Sequence, residues 1–143
     1  MTTVTTVRQR TLTARDVMSS PAIVVSPDDS VWDASQLMMM SGVRHLVVCF
    51  QGRAIGVVDD RTVFAHWPTG PVAVRRTRVA EILRTRTSCV LEGVELQRAA
   101  ELMIIDGCDA IPVVDDKGKV LAIITTSDLI AAVATHGIIE ETP

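Results

Sequence analysis

The chain contains two copies of one unit, related by a shift of 65 residues. At that shift DVMSSPAIVVSPDDSVWDASQLMMMSGVRHLVVCF lies over EILRTRTSCVLEGVELQRAAELMIIDGCDAIPVVD without a gap. The alignment pairs apolar residues and glycines of the same kind: Val25 with Val90, Ala34 with Ala99, Met38 with Met103, Gly42 with Gly107, and Val48 with Val113. Two copies are too few for a solenoid, whose stability needs more stacked repeats. The repeat therefore predicts a pseudo-symmetric pair of units packed face to face.

Each copy has the pattern of a β-α-β-β-α unit. A short extended piece, AIVV or SCVL, precedes a helix whose apolar residues recur at helical spacing. Gly42 and Gly107 are predicted to end these helices in the left-handed conformation. Two strands and a second helix then complete each copy: HLVVCF, AIGVV and RTVFAHW in the first, AIPVV, VLAII and SDLIAAVATH in the second. The fold class is predicted to be α+β, with two pseudo-symmetric repeats packed through their sheets.

The starts of the middle helices carry acidic and hydroxyl side chains. These are Asp28, Asp29 and Ser30 in the first copy, and Glu92 and Glu95 in the second. Such residues are favoured where a helix begins, because they accept hydrogen bonds from free backbone N–H groups and interact well with the helix dipole.

The chain is predicted to divide into five segments. They are a flexible N-terminus at 1–11, a first repeat at 12–67, a linker at 68–77, a second repeat at 78–135, and a C-terminal tail at 136–143. The linker contains two prolines and a glycine, and three arginines, Arg75, Arg76 and Arg78, lie at its end. A short basic run of this kind is usually a solvated surface, although it is also a candidate docking site for an anion or nucleic acid.

Composition argues against several classes of protein. Hydrophobic residues make up 48 % of the chain, which excludes a disordered chain. Aromatic residues make up only 3 %, with no Tyr, so stacking platforms for single-stranded nucleic acid are not expected. The net charge of −3 also differs from the basic balance of phosphate-backbone binders. Nucleic acid is therefore not expected as a partner.

No apolar run approaches the ~20 residues that cross a bilayer, and the first residues, MTTVTTVRQRTLTARD, lack the apolar core of a secretory signal. We expect a cytoplasmic protein without membrane contact.

Cys49, Cys89 and Cys108 form no C-x-x-C pair, which favours buried thiols over a metal site. No nucleophile–base motif and no phosphate-binding glycine motif stands out, so we expect no catalytic residues, no metal and no enzyme activity.

The sequence resembles a known family in both copies. D-V-M-x-x-x-x-x-V-V-S-P-D-x-S-V and G-V-R-H-L-V-V in the first copy, with G-C-D-A-I-P-V-V-D and A-I-I-T-T-S-D-L in the second, resemble tandem cystathionine-β-synthase (CBS) domains, a pair called a Bateman module. The resemblance covers residues about 12 to 135. It implies a regulatory module whose clefts bind AMP, ADP, ATP or S-adenosylmethionine, which forms a disc-shaped homodimer, and which signals to a regulated protein that the sequence does not identify. No required cofactor is implied.

The resemblance also implies site residues. The family motif G-h-x-[ST]-x-x-D is matched from Ala122 to Asp128, which makes Asp128 the candidate for the ribose diol. Thr125 and Ser127 are candidates for hydroxyl contacts with ribose or phosphate, at a helix start whose free N–H groups favour an anion. The implied adenine slot consists of Ser88, Cys89, Val90, Ala110, Ile111 and Pro112. Arg44 and His45 occupy the place of a phosphate-binding basic pair.

The first copy departs from that motif. Asp59 stands where a hydroxyl residue is expected, and Thr62 stands where the ribose carboxylate is expected. A single site built around the second copy is therefore the preferred interpretation.

Two alternatives remain open. [ST]-x-x-[DE] is also a capping box that stabilises a helix without a ligand, so Thr125 and Asp128 have a structural interpretation as well. The departure of the first copy also allows a ligand-free dimeric module that docks a protein or nucleic acid.

Overall fold

Residues 11–84 and 86–137 are described by the structure, a computed structural model, and they form two three-stranded sheets flanked by helices. The elements of the first repeat and the connecting segment are α1 (Ala14–Val17), β1 (Val24–Val25), α2 (Val31–Ser41), β2 (His45–Phe50), β3 (Arg53–Asp59), α3 (Asp60–Ala65) and α4 (Pro71–Arg76). Those that follow are α5 (Val79–Ile82), β4 (Val90–Leu91), α6 (Leu96–Asp106), β5 (Ala110–Val114), β6 (Val120–Thr125) and α7 (Thr126–His136). The predicted α+β class with two repeats is confirmed.

The two sheets have the same topology. In each, a short first strand pairs in parallel with the second, and the second pairs antiparallel with the third, in the orders β1-β2-β3 and β4-β5-β6. The registers shift at equivalent points, between Val48 and Cys49 in the first sheet and between Val113 and Val114 in the second. The symmetry read from the sequence therefore extends to the irregularities of the strands.

The predicted ends of the middle helices are confirmed, and each of these helices begins after a residue that was predicted for its start. Gly42 and Gly107 follow α2 and α6 with φ angles of 67° and 66°, a region that side chains with a Cβ rarely adopt. The Ser30 side chain accepts the N–H of Asp33 at 3.0 Å and so caps α2. Glu95 is the residue before α6, although its side chain makes no cap hydrogen bond, and Glu92 forms an ion pair with Arg15 at 2.8 Å.

A helix of one turn precedes the first strand of each repeat, which the predicted β-α-β-β-α pattern did not include. These leading helices are α1 and α5, of four residues each. Each packs into the core of the other repeat. Val79 and Ile82 of α5 are buried in the first-repeat core, whereas Ala14 of α1 is buried in the second-repeat core. Each repeat thus completes the core of the other with its leading helix, an arrangement that we call the exchange of the leading helices.

Backbone hydrogen bonds fix the exchanged helices. The N–H of Val79 donates to the carbonyl oxygen of Asp29 at 2.8 Å, and the N–H of Ala14 donates to that of Val94 at 2.9 Å. A third, shared core lies between the sheets and contains the buried residues Val47, Ala110 and Ile123. The predicted packing of the repeats through their sheets is confirmed by this shared core.

The predicted linker contains the helix α4. Its Val74 is buried in the first-repeat core, and the guanidinium of Arg75 lies 5.0 Å from the ring centre of Trp32 on α2. The Arg78 guanidinium donates to the carbonyl oxygen of Asp28. Two of the three arginines in the basic run therefore have partners within the chain.

Across the described residues, no helix is long and apolar enough to span a bilayer.

Exchange of the leading helices predicts that the substitution Val79→Ala destabilises the fold. Loss of two methyl groups from a fully buried site lowers the free energy of unfolding by about 2 kcal/mol. The matched control, Val72→Ala on α4, removes the same atoms from a side chain that is 60 % exposed, and we expect a change below about 0.5 kcal/mol. Urea denaturation followed by circular dichroism measures both, and equal costs would contradict the exchange.

Candidate functional site

Two grooves open where the repeats meet, beside the first turns of α3 and α7. The α7 groove has a volume of about 360 Å³ and is lined by Arg44, His45, Asp60, Arg61, Asp109, Thr125, Thr126 and Ser127. The α3 groove has a volume of about 250 Å³ and is lined by residues 57–59, 61, 62, 82, 84 and 107–110. Residues of both repeats line each groove, so the shape of each groove depends on how the two sheets pack together.

The start of α7 has a capping box. Asp128 Oδ2 accepts the backbone N–H of Thr125 at 2.9 Å and its hydroxyl at 3.2 Å, and the N–H of Asp128 donates to Thr125 Oγ1 at 3.4 Å. Asp128 Oδ1 accepts the hydroxyl of Ser19 at 2.8 Å. The structural interpretation of Thr125 and Asp128 is thus realised in the protein. A carboxylate has about four lone-pair directions, so Asp128 retains capacity for a further donor.

The predicted basic pair divides between two environments. Arg44 is exposed at the rim of the α7 groove. His45 instead lies with Nε2 3.1 Å from Asp109 Oδ1, across the boundary between the repeats. The other oxygen of Asp109 accepts from the guanidinium of Arg61 at 3.1 Å. Arg61 and Asp109 were not predicted as site residues, and they bring a second cation and an acid to the groove.

The predicted adenine slot does not share a cavity with Thr125 and Ser127. Ala110, Ile111 and Pro112 are buried in β5, and of these Ala110 lines the α3 groove. Val90 is buried in the second-repeat core, where it pairs with Val113.

Ser88 and Cys89 precede β4 and have partners elsewhere. The Ser88 N–H donates to the carboxylate of Asp106 at 2.7 Å, and Cys89 Sγ lies 4.0 Å from the carbonyl oxygen of Ala54. Burial raises the pKa of the Cys89 thiol, and the nearby Cys49 and Asp106 raise it further. The structure therefore brings Arg44, His45, Thr125 and Ser127 to the α7 groove and keeps Asp128 beside Thr125 at the start of α7. It places the residues of the predicted adenine slot elsewhere.

The start of α3 is capped by the reverse arrangement of residues. Asp59 takes the place of Thr125, and its Oδ1 accepts the N–H of Thr62 at 2.7 Å. Partial burial raises the pKa of the Asp59 carboxyl, but hydrogen bonds from Thr62 and the charges of Arg61 and His45 together lower that pKa below its ordinary value of 3.8. The α3 groove therefore carries a carboxylate where the second repeat has a hydroxyl. This charge disfavours a phosphate at the start of α3.

The comparison with protein families gives one match. The model of the CBS domain matches residues 14–67 and again residues 79–135. Among curated proteins, the uncharacterized protein MJ1225 of Methanocaldococcus jannaschii is 29 % identical over 125 residues. That alignment covers 80 % of this chain and 45 % of the relative, so the chain spans less than half of it.

Solved structures share the fold. The CBS domain pair of protein MJ0100, crystallised with 5′-methylthioadenosine and S-adenosyl-L-methionine, has a TM-score of 0.75 at 20 % identity and covers 89 % of this chain and 99 % of that one. The cytosolic domain of the Mg²⁺ channel MgtE, in complex with ATP, has a TM-score of 0.64 at 24 % identity, over 81 % of this chain and 46 % of that one.

The capping box predicts a cost for Thr125→Ala even without a ligand. Loss of the side-chain acceptor at the start of α7 lowers the free energy of unfolding by about 1 kcal/mol. The control Thr125→Ser keeps the hydroxyl, and we expect it to retain most of that stability. Urea denaturation of ligand-free protein measures the difference. Equal stability of the two variants would show that the cap contributes little.

Proposed function

Since the chain belongs to the CBS domain family, we propose that it is a regulatory module that binds an adenosine-containing ligand between its repeats and signals to a partner protein. The ligand class is AMP, ADP, ATP or S-adenosylmethionine, and the chain itself carries out no reaction. We propose the cytoplasm as its location. Binding then acts through the relative arrangement of the two repeats, because residues of both line the groove.

The α7 groove is the observation that carries this proposal. Thr125, Thr126 and Ser127 supply hydroxyl groups at the first turn of an eleven-residue helix. N–H groups at a helix start and the dipole of the helix favour an anion. Arg44, from the other repeat, also lines the groove and has the planar donor geometry that matches a phosphate. The combination suits a phosphate, or the carboxylate of S-adenosylmethionine.

Asp128 is the proposed contact for the ribose. Its Oδ1 is already approached by the hydroxyl of Ser19, which comes from the segment after α1 and is exposed. A ribose diol presents the same kind of donor as Ser19. We therefore propose that the ligand hydroxyls join or replace Ser19 at Asp128, while Oδ2 keeps the cap of α7 intact.

The ligands named for the two solved structures support the class of ligand. The MJ0100 domain pair was crystallised with 5′-methylthioadenosine and S-adenosyl-L-methionine, and the MgtE domain with ATP. All three contain adenosine. The three ligands share the adenosine group, but the groups attached to it differ in charge. They therefore support an adenosine-containing ligand for this chain without indicating which group is attached to the adenosine.

A thermal-shift panel of AMP, ADP, ATP, S-adenosylmethionine and 5′-methylthioadenosine tests the proposal. A ligand present at a hundred times its Kd stabilises the fold by about 2.7 kcal/mol, which raises Tm. Asp128→Asn preserves the size of the side chain and an acceptor for the cap, but it removes the carboxylate. We expect this variant to lose most of the ligand-induced shift.

Asp33→Asn is the matched control, since it removes the same charge from an exposed residue in the first turn of α2. Each shift is measured relative to the same variant without ligand, so the loss of cap stability does not enter the result. No shift with any of the five compounds would refute the proposal. A full shift in Asp128→Asn would refute the role of Asp128.

A second substitution separates phosphate from adenosine recognition. Arg44→Gln removes the guanidinium at the groove and should weaken AMP or ATP binding at least about tenfold, the scale of one charge-assisted contact. Binding of 5′-methylthioadenosine, which has no phosphate, should change little. Isothermal titration calorimetry measures both, and equal losses for the two ligands would argue against a phosphate at Arg44.

We propose that the chain forms a homodimer, and exposed apolar side chains support this proposal and a second candidate function. Met39 and Met40 on α2 and Ile104 and Ile105 on α6 are all more than 70 % exposed. Apolar surface of this kind is typical of contact sites. The second candidate is therefore a ligand-free dimeric module that docks another protein. It predicts that pull-down partners survive Asp128→Asn, whereas the favoured function predicts that their capture depends on the ligand.

A further inference from the structure

One imidazole and two carboxylates converge at the boundary between the repeats. His45 Nε2 and one carboxylate oxygen each of Asp59 and Asp109 lie within 4.8 Å of one another. His45 and Asp59 are direct cross-strand partners on β2 and β3. Asp109 comes from the other repeat, in the turn between α6 and β5. The cluster therefore joins two rigid strands of one repeat to a loop of the other.

Each carboxylate oxygen of the cluster contacts a neighbouring group of the protein. Asp59 uses Oδ1 to cap α3, which leaves Oδ2 facing the guanidinium of Arg61 at 3.8 Å. Asp109 presents Oδ1 to His45 and Oδ2 to Arg61, both at 3.1 Å. The side chains of His45 and Asp59 are 17 % and 18 % exposed, so the cluster is sheltered but open to the grooves.

We propose that His45, Asp59 and Asp109 bind a divalent transition-metal ion of the Zn²⁺ class. One imidazole nitrogen and two carboxylate oxygens are a ligand set that such ions accept. The 3.1 Å between His45 Nε2 and Asp109 Oδ1 is close to the ~3.3 Å that separates two ligands of one tetrahedral ion with bonds of about 2.0 Å. A carboxylate oxygen of Asp59 lies within 4.8 Å of both other ligand atoms and completes the set.

The guanidinium of Arg61 is a cation that contacts this cluster. Its side chain is 79 % exposed and contacts both carboxylates, so it can leave toward solvent without disturbing the core. A divalent ion places two positive charges beside Asp59 and Asp109, where the guanidinium of Arg61 places one. Arg61 thus competes with the metal, and its removal is expected to strengthen metal binding.

The ligands are well supported by the backbone. The carbonyl oxygen of Asp109 accepts the N–H of Thr126 at 2.9 Å and its hydroxyl at 3.2 Å, which ties the loop to the first turn of α7. His45 and Asp59 are fixed by strand pairing. A bound ion would therefore link both sheets and the start of α7. This proposal does not rest on the adenosine ligand, since the metal contacts only residues of the chain.

Titration of tag-free protein with Zn²⁺ in a calorimeter, and with Co²⁺ in an absorption spectrometer, tests the site. We expect one ion per chain. Asp59→Asn and Asp109→Asn should each weaken metal binding more than about tenfold. Replacing a residue that only supports a metal ligand already costs about tenfold in affinity, and the loss of a ligand should cost more. Asp60→Asn, which removes the neighbouring acidic charge from a residue outside the cluster, is the matched control and should bind as the wild type does.

Arg61→Gln gives an outcome in the opposite direction, since it should bind the ion more tightly than the wild type. This gain cannot arise from a folding defect. Replacement of Cys49, Cys89 and Cys108 by Ala should leave binding unchanged, and the Co²⁺ spectrum should show no thiolate charge-transfer band. The proposal is overturned if the wild type binds no ion, if Arg61→Gln binds more weakly, or if binding follows the cysteines rather than the aspartates.

Discussion

Exchange of the leading helices is the constraint on which the rest of the structure depends. Val79 and Ile82 of the second repeat fill the core of the first, and Ala14 of the first repeat fills the core of the second. Because apolar burial is the dominant favourable term in folding, neither core is complete without the other repeat. Ile82 of the exchanged helix α5 also lines the α3 groove, and both grooves lie where residues of the two repeats meet. Site geometry and folding stability therefore share one set of contacts.

Most of the fold could be predicted from the sequence, because each local pattern occurs at equivalent positions in both copies. A pattern that is weak in one copy is therefore supported by the other. The helix ends at Gly42 and Gly107 follow from turn chemistry, and the succession of strands and helices follows from short apolar runs and helical spacing. The leading helices could not be predicted. Four residues provide only one helical turn, too short for an apolar period, and their burial arises from contacts far away in the chain. The helix α4 was missed because the prolines and glycine around it are typical of a linker.

The candidate site was predicted only in part, for the same reason. Thr125, Ser127 and Asp128 stand in one local motif, and the structure places them at one helix start. Ser19 and Asp128, or His45 and Asp109, meet across separations of 109 and 64 residues. A single sequence contains no pattern that pairs such positions. Of the predicted adenine slot, Val90, Ala110, Ile111 and Pro112 are buried in β4 and β5, away from the α7 groove, and Ser88 and Cys89 lie just before β4.

The reversed caps of α3 and α7 have a consequence for how such a duplicated protein can change. One helix start places threonine first and aspartate three positions later, whereas the other places aspartate first and threonine later, and both remain capped. Either order satisfies the backbone, so the two residues can trade places at little cost to folding. Duplication thus leaves one copy free to alter the charge it presents to the cleft. The two sites can then diverge in charge while each helix start keeps a side-chain cap.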